Sequence, residues 1–236
     1  MIIFILIISV VLFMLTNVFA KKIWQTVVSF VFGALFVVSL ILIVLNVSNH
    51  YGMKQVTETK EISLVSSGDT NGPKLLLYQP LGNGEETVFL YKTKDSQKKP
   101  KATGTDYVTN EVIKNSKSPK LIEKKTYWVY KNRGFERFFH INGSKKEFVK
   151  EENEFQVPSD WYVLTTDQAK ELQKTMQDQK IQIESDAKAF AANQLKEAMM
   201  KNPKLDKAAQ HQLAEKAGAD YQAKVFQETV EKIQKK

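Results

Sequence analysis

Cysteine is absent from the 236-residue sequence. The chain therefore has no disulfide, no thiol nucleophile and no zinc site with cysteine ligands. Histidine is rare, and none of the three histidines, His50, His140 and His211, has a partner at the spacing that metal sites use. We therefore predict surface or structural roles for all three histidines.

Recognisable catalytic and ligand-binding motifs are also missing. The sequence has no glycine-rich phosphate-binding loop, no nucleophile elbow around a serine and no HExxH zinc motif. We predict no catalytic, cofactor-binding or metal-binding residue and no cofactor, and we interpret the chain as a protein that is not an enzyme. An active site assembled from residues that are distant in the sequence stays open as an alternative.

Arginine is scarce in an otherwise basic chain. The sequence has 34 basic and 26 acidic residues and a formal net charge of +8, yet only Arg133 and Arg137 are arginines. Proteins that read nucleic-acid bases favour arginine, so nucleic acid is not an expected partner. The densest basic cluster, at Lys98, Lys99 and Lys101, is predicted to be a solvated loop. Attraction to anionic lipid or to an anionic envelope polymer is the alternative.

Charged residues are missing from two long stretches near the N-terminus. Residues 1–20 and 23–47 contain no Lys, Arg, Asp or Glu, and Lys21 and Lys22 lie between them. A helix needs about 20 apolar residues to cross a bilayer core of about 30 Å. We therefore predict a transmembrane helical hairpin over 1–47. A cleaved signal peptide is the alternative for the first run, although it lacks a basic n-region and a small-x-small cleavage site.

Small residues in the second run indicate how the two predicted helices meet. Ser29 and Gly33 have the small-xxx-small spacing that lets transmembrane helices approach closely. We predict that this pair lies between the two helices of the hairpin rather than at a site for another protein.

The lysines around the apolar runs predict the orientation in the membrane. Lys21 and Lys22 are the nearest positive charges to either run, whereas Lys54 and Lys60 lie farther from the second one. Positively charged loops stay in the cytoplasm, so we predict a cytoplasmic loop and an extracytoplasmic soluble domain on a two-pass membrane protein. A cytoplasmic domain is the alternative. The lipid bilayer is thus an expected partner.

Turn-forming residues punctuate the sequence after a connector at 48–54. Glycine, proline, asparagine and aspartate separate short runs that are rich in β-branched, aromatic and leucine residues. This pattern predicts an antiparallel β-sandwich or small barrel over 55–164, and hence an α+β membrane protein overall. The expected strands are 56–65, 74–81, 87–93, 107–113, 121–131, 135–141, 144–149 and 161–164.

The adjacent residues Asn142 and Gly143 predict one hairpin in particular. Asn-Gly favours a two-residue type I′ turn, so the runs 135–141 and 144–149 are expected to pair. In that register the predicted core face consists of Phe135, Phe139, Ile141 and Phe148.

Four nearby aromatic or imidazole rings have two interpretations. They are Trp128, Tyr130, Phe138 and His140. We favour ordinary core packing for most of them, because large rings are usually buried. The alternative is an exposed patch that binds a ligand or a carbohydrate.

The pattern changes from strand to helix at Thr165. Thr165 and Gln168 have the spacing of an N-terminal capping box, and apolar residues then recur at helical spacing up to about residue 200. Pro203 ends this helix, and a second one follows. Residues 165–236 are thus predicted to form a long helical hairpin or arm. Its first helix is expected to dock on the β domain, and its second to be more available to a partner.

The two apolar runs with Lys21 and Lys22 between them, the strands at 75–91 and the segment 127–130 together resemble a family of lactic acid bacteria. That family of membrane proteins is uncharacterised and is known only as a domain of unknown function. The resemblance implies a two-helix membrane protein of a Gram-positive cell envelope and brings no functional residues. Members occur beside multidrug transporters, which implies an accessory role.

The resulting functional prediction is a membrane-anchored, non-enzymatic cell-envelope protein. Its extracytoplasmic domain is expected to bind a membrane or envelope protein, such as a transporter. A module that binds an anionic envelope polymer or lipid headgroups is one alternative, and an enzyme without a recognisable motif is another.

Overall fold

The structure is a computed structural model that describes residues 1–19, 21–68, 72–82, 84, 86–141, 143–202 and 206–235. This part of the chain contains six helices and eight strands, which confirms the predicted α+β class. The helices are α1 (Ile2–Val18), α2 (Ile23–Asn49), α3 (Arg133–Phe139), α4 (Thr166–Asp178), α5 (Lys180–Lys201) and α6 (Lys207–Gln234). The strands are β1 (Met53–Ser63), β2 (Lys74–Leu81), β3 (Glu86–Tyr91), β4 (Lys101–Ala102), β5 (Val108–Ile113), β6 (Lys120–Tyr130), β7 (Lys146–Gln156) and β8 (Trp161–Thr165).

The strands form two four-stranded sheets, with the orders β1-β6-β7-β5 and β4-β3-β2-β8. Both sheets are mixed, because β5 pairs with β7 and β2 pairs with β8 in parallel, whereas the other neighbours are antiparallel. Neither sheet closes into a barrel over the described residues. The predictions of a small barrel and of purely antiparallel pairing are therefore wrong. A parallel pair needs a crossover connection and leaves no local turn motif in the sequence.

The chain divides into two compact units whose segments alternate along the sequence. Unit 1 comprises Met1–Ser63 and Gly104–Val157, and unit 2 comprises Leu64–Thr103 and Pro158–Lys236. Unit 1 thus holds α1, α2, α3 and the first sheet, whereas unit 2 holds the second sheet and the last three helices. The segment 55–164, predicted to be one β domain, contributes strands to both units. Residues 165–236 belong to the same unit as β2, because β2 pairs with the strand that leads into α4.

The predicted strand at 135–141 is wrong, since Arg133–Phe139 form the helix α3. Asn132 caps this helix by accepting a hydrogen bond from the Phe135 N–H at 3.0 Å. Phenylalanines four residues apart lie on one face in a helix and also in a strand, so their spacing does not distinguish the two. The asparagine cap favours the helix. The predicted core face is also wrong in part, because Ile141 and Phe148 are 62% and 43% exposed. Asn142 lies outside the described residues.

The start of α4 confirms the predicted capping box. The Thr165 hydroxyl accepts from the Gln168 N–H, and the Gln168 side chain accepts from the Thr165 N–H, both at 3.0 Å. The single helix predicted up to about residue 200 is divided at Gln179, where α4 ends and α5 begins. Pro203, the predicted break, lies outside the described residues, and α6 begins after the N-cap Asp206.

The core of unit 2 joins a strand to two helices. It contains Leu164 of β8, Leu172 of α4, and Val230 and Ile233 of α6. As expected, α4 contacts the sheet, through β2 and β8. The last turns of α6 are buried as well, which corrects the expectation that this helix is the more available one. The apolar stripe of α6 continues as far as Ile233, and packing in this core removes these side chains from water.

One described helix, α2, is long and apolar enough to cross a membrane, and α1 is a shorter apolar helix of 17 residues. Only 11% of the apolar window of α2 is buried, which is unlike a core helix of a water-soluble protein. By length and composition, α2 fits either a membrane anchor or a signal sequence near the N-terminus.

Small residues lie where α1 and α2 contact each other. A Cβ added at Gly33 of α2 would lie 3.2 Å from the ring of Phe13 of α1. The buried polar side chains of the two helices are Ser9, Ser29 and Ser39. The Ser9 and Ser39 hydroxyls each donate to a backbone carbonyl of their own helix at 2.8 Å, so neither needs water. The predicted small-residue pair therefore faces inward, with Gly33 against α1.

Candidate functional site

The chain leaves α2 through a tight turn at residues 50–52, which we call the junction. His50 adopts a left-handed conformation with φ 52°, and the Tyr51 N–H donates to the Leu45 carbonyl at 3.1 Å. Gly52 follows with φ 84°, and its carbonyl accepts from the Lys131 N–H at 2.9 Å. The junction is thus fixed at one end by the last turn of α2 and at the other by the end of β6.

Gly52 is required both by its backbone conformation and by the space around it. A Cβ at this position would lie 2.5 Å from the ring of Phe135. A left-handed conformation alone costs a residue with a side chain about 1–2 kcal/mol. We expect Gly52→Ala to destabilise unit 1 by more than this amount, because the clash adds to the strain. Hydrogen exchange of the β1 and β6 amides in the detergent-solubilised chain measures the loss.

Two further variants make this expectation specific. Phe135→Ala removes the clash, so the double variant should lose less than the sum of the two single losses. Gly218→Ala in α6 is the matched control, since a Cβ there meets no atom within 4 Å. It should stabilise by up to about 1 kcal/mol, as alanine is the better helix former. A loss at Gly218→Ala equal to that at Gly52→Ala would contradict the role given to Gly52.

Aromatic rings surround the junction. Tyr51 meets Phe135 and Phe139 of α3 edge-on, with ring centroids 5.9 and 6.2 Å apart. Phe138 meets Phe139 edge-on at 4.9 Å. Such edge-to-face pairs stabilise by about 0.5–1.5 kcal/mol each beyond the burial of their area. The rings therefore hold α3 against the end of α2.

His50 lies on the other side of the junction, stacked on Trp128 with centroids 4.3 Å apart and the planes 11° from parallel. Its Nε2 atom is 3.4 Å from a carboxylate oxygen of Glu147, but it is buried and has no well-aligned hydrogen-bond partner in the described part of the chain. His140 meets Tyr130 edge-on at 6.2 Å. Burial, together with the nearby carboxylates of Glu136 and Glu147, raises the pKa of Tyr130.

The four rings weighed as a possible patch thus lie around the junction, and all four are half-buried. This agrees better with packing than with an exposed patch. His211 lies apart from them on α6, exposed and 3.8 Å from Glu215. The described residues contain no group of three or more His, Asp or Glu side chains that could hold a metal ion.

A cleft of about 400 Å³ opens between α2 and α3, and we call it the junction cleft. Its walls include Leu42 of α2, Tyr51 of the junction, and Phe135, Phe138 and Phe139 of α3. These walls are mostly apolar, and Asn132 adds a polar side chain. The amino group of Met1 donates to two carbonyls at the end of α3 at 3.0 and 3.1 Å, so the start of α1 also meets α3.

Both arginines of the chain lie on α3, one helical turn apart. Arg133 and Arg137 are exposed, and within the described residues neither forms an ion pair. The hydrogen bond from Lys145 lowers the pKa of Glu136, the carboxylate between them, so Glu136 stays charged and is paired with Lys145. Two arginines and this one carboxylate, which Lys145 already pairs, leave α3 with a net positive charge. The sequence contained the cue for this helix, because an Asn cap is followed by phenylalanines at the helical spacing i, i+3 and i+4.

Unit 2 has a cleft of its own, of about 530 Å³. Its apolar lining comprises Leu75, Leu77, Leu172, Met176 and Phe226, and Lys92 and Lys170 add two positive side chains. The lysine cluster at Lys98, Lys99 and Lys101 is exposed, as predicted, but Lys101 begins the strand β4, so the prediction of a loop is wrong for this residue.

The α5–α6 pair provides a third surface. The two helices contact each other through buried alanines and through the ring pair of Phe190 and Tyr221, with centroids 5.4 Å apart. Near the end of α5, Leu195, Met199 and Met200 border an open apolar cleft of about 420 Å³, and Met200 is 71% exposed. We call these three residues the α5 tip.

Residues 21–172 match the family described as "Domain of unknown function (DUF4811)". The match begins after α1 and ends within α4, so that it contains α2, the junction, α3 and both sheets. The expected resemblance to an uncharacterised family is confirmed at this level. No curated protein and no solved structure matches the chain.

Proposed function

The chain belongs to the family that its residues 21–172 match, and we propose that it is a two-pass membrane protein that binds another membrane or envelope protein. In this proposal α1 and α2 anchor it, and the rest of the chain is a non-enzymatic binding domain on the extracytoplasmic side. The α5 tip provides the binding surface. The proposed role is accessory to a membrane transporter.

The dimensions of the first two helices support the membrane anchor. At 1.5 Å per residue, α2 is about 40 Å long and α1 about 26 Å, against a bilayer core of about 30 Å. Their outer surfaces are apolar and exposed, and the hydroxyls of Ser9 and Ser39 bond within the helices. Lys21 and Lys22 lie at one end of the pair, whereas the junction, α3 and the first sheet follow at the other.

The absence of cysteine allows a direct test of sidedness. Lys98→Cys on the exposed loop and Trp24→Cys beside the two lysines each introduce a single thiol. A membrane-impermeant maleimide should label Lys98→Cys in intact cells and Trp24→Cys only after permeabilisation, because positive loops stay in the cytoplasm. Reversed labelling would place the domain in the cytoplasm. Labelling of both thiols in intact cells would show that the helices do not cross twice.

The observation that carries the binding function is the exposure of apolar side chains at the α5 tip. Methionine is flexible and polarisable, and it is often used on surfaces that bind other proteins. The alanines between α5 and α6 are buried in their contact, whereas Met199 and Met200 at the tip are 40% and 71% exposed. A helical surface of this kind fits an apolar groove or a second helix of the partner.

Quantitative cross-linking of the full chain in native membranes tests this function. Met199→Glu combined with Met200→Glu should abolish the cross-links between unit 2 and its partner, because it places charge in an apolar contact. Ile181→Glu is the matched control, since Ile181 lies at the other end of α5 and is 85% exposed. Equal loss in both variants, or no loss in either, would remove the α5 tip from the function.

A further inference from the structure

We propose that the junction cleft and the two arginines of α3 bind one anionic phospholipid. An acyl chain occupies the cleft, and the arginines hold the headgroup phosphate. This inference rests on the proposed function in one respect, since it requires α2 to lie in a bilayer.

The depth of the cleft identifies the apolar part of the ligand. Leu42 lies seven residues before the end of α2 at Asn49, which is about 10 Å along the helix axis. Helices that lie in the membrane interface bury their apolar faces to about 5–10 Å. The cleft therefore reaches from the junction down to acyl-chain depth. With an apolar lining and a bilayer around it, its occupant is an acyl chain rather than water.

The shape of α3 suits a helix in the interface. Phe135, Phe138 and Phe139 follow the helical spacing i, i+3 and i+4, and so share one side of α3. Of these three, Phe139 is buried, whereas Phe135 and Phe138 are half-buried at the cleft. The arginines are the exposed side chains of the same short helix. A charged edge above an apolar edge is the arrangement of interfacial helices.

The charges identify the polar part of the ligand. The fork of donors on a guanidinium matches the oxygens of a phosphate, which the point charge of a lysine does not. All other basic residues of the chain are lysines, so arginine occurs only on α3, the helix that forms one wall of this cleft. Glu136 is the nearest acidic group on α3, and it is bound by Lys145. Arg133 and Arg137 thus remain available to an anionic headgroup.

Native mass spectrometry of the full chain in mild detergent measures the binding. Titration with phosphatidylglycerol should show one bound lipid per chain, and phosphatidylcholine should bind more weakly. An arginine near an anionic lipid surface contributes about fivefold in affinity, so Arg133→Gln with Arg137→Gln should weaken phosphatidylglycerol binding by about 30-fold. Leu42→Trp should weaken the binding of both phosphatidylglycerol and phosphatidylcholine, because the larger side chain fills the cleft.

The matched control is Lys188→Gln with Lys196→Gln on α5, which removes the same charge from unit 2 and should leave lipid binding unchanged. Equal weakening by this control, or unchanged binding in both the arginine and the Leu42 variants, would overturn the proposal. Inorganic phosphate that displaces the lipid at equal concentration would also overturn it, by showing a site for free phosphate.

Carbonate extraction separates this inference from the proposed function. A chain that is extracted from membranes at alkaline pH does not span them, and both ideas then fail. A chain that stays in the membrane fraction, but whose variants bind phosphatidylglycerol like the wild type, refutes the lipid site alone.

Discussion

Replacing Phe155 by alanine should destabilise unit 1 by about 3–5 kcal/mol, the usual cost of removing a large buried aromatic side chain. Phe155 is fully buried in β7. It lies opposite Leu121 of β6 on one side and opposite Val112 of β5 on the other. The ring therefore lies near the end of β7, on the strand where the antiparallel and parallel pairs of the first sheet meet. Its removal leaves a cavity that two flanking strands cannot easily close.

Phe148→Ala is the matched control for this expectation. Phe148 lies on the same strand but is 43% exposed, and it meets Tyr127 edge-on at 6.0 Å. We expect a loss of only about 0.5–1.5 kcal/mol, the range for one aromatic pair. Hydrogen exchange of the β6 and β7 amides measures both losses, because the two units need not unfold together. Similar losses at the two positions would show that β7 is not central to the core.

The second half of β7 shows why the sequence predicted only part of this strand. The predicted strand ends at residue 149, because the next five residues, 150–154, all have charged or amide side chains. They are held in the sheet by charges on the neighbouring strand. Lys125 of β6 lies 3.2 Å from Glu151, and Lys124 lies 3.6 Å from Glu154. A charged strand of this kind can be recognised only when its partner is known.

The environment of Lys125 shows how such charges are tolerated. Burial disfavours its charged form, but hydrogen bonds to Glu123 and Glu151 outweigh this and raise the pKa of Lys125. The lysine therefore stays charged at neutral pH and pairs with two carboxylates at 3.2 Å. In this part of the sheet, ion pairs between strands stand where a strand usually shows alternating apolar and polar residues, the pattern by which strands are recognised in a sequence.

Local signals did predict other elements correctly. The strand 74–81 agrees with β2, and the Thr165 capping box agrees with the start of α4, since each depends on residues that are close in the sequence. The parallel pairing of β2 with β8 joins residues more than 80 positions apart, and no local pattern announces it. The division into two units follows from this pairing and was missed with it.

The candidate site was predictable in its parts but not in its assembly. The scarcity of arginine and the end of the apolar run were visible in the sequence. The placement of α3 beside Leu42 and Tyr51 depends on β6, which carries the chain back from residue 120 to the junction. Glycine is needed at Gly52 for the same reason: β6 brings the chain back to the junction, and Phe135 then fills the space beside Gly52.

A second large effect is expected when a carboxylate is placed in the core of unit 2. Val230 of α6 is 1% exposed and packs with Leu164 and Leu172. Val230→Asp removes apolar burial and introduces a charge without a partner, so we expect a loss of about 4 kcal/mol or more. Ala223→Asp is the matched control, since it adds the same charge on an exposed face of α6 and should cost less than about 1 kcal/mol.

The pH dependence distinguishes burial of this carboxylate from a general effect of charge on the helix. Burial raises the pKa of an aspartate, so the folded state would hold its proton at a pH where the unfolded state, with a pKa of about 3.9, has lost it. The folded form then binds more protons, and the stability of Val230→Asp should fall as pH rises above about 4. Pulse proteolysis of the full chain at about pH 5 and about pH 8 measures this difference. If both variants lose the same stability at both pH values, the last turns of α6 are not docked, and the second helix would regain the role of a helix available to a partner.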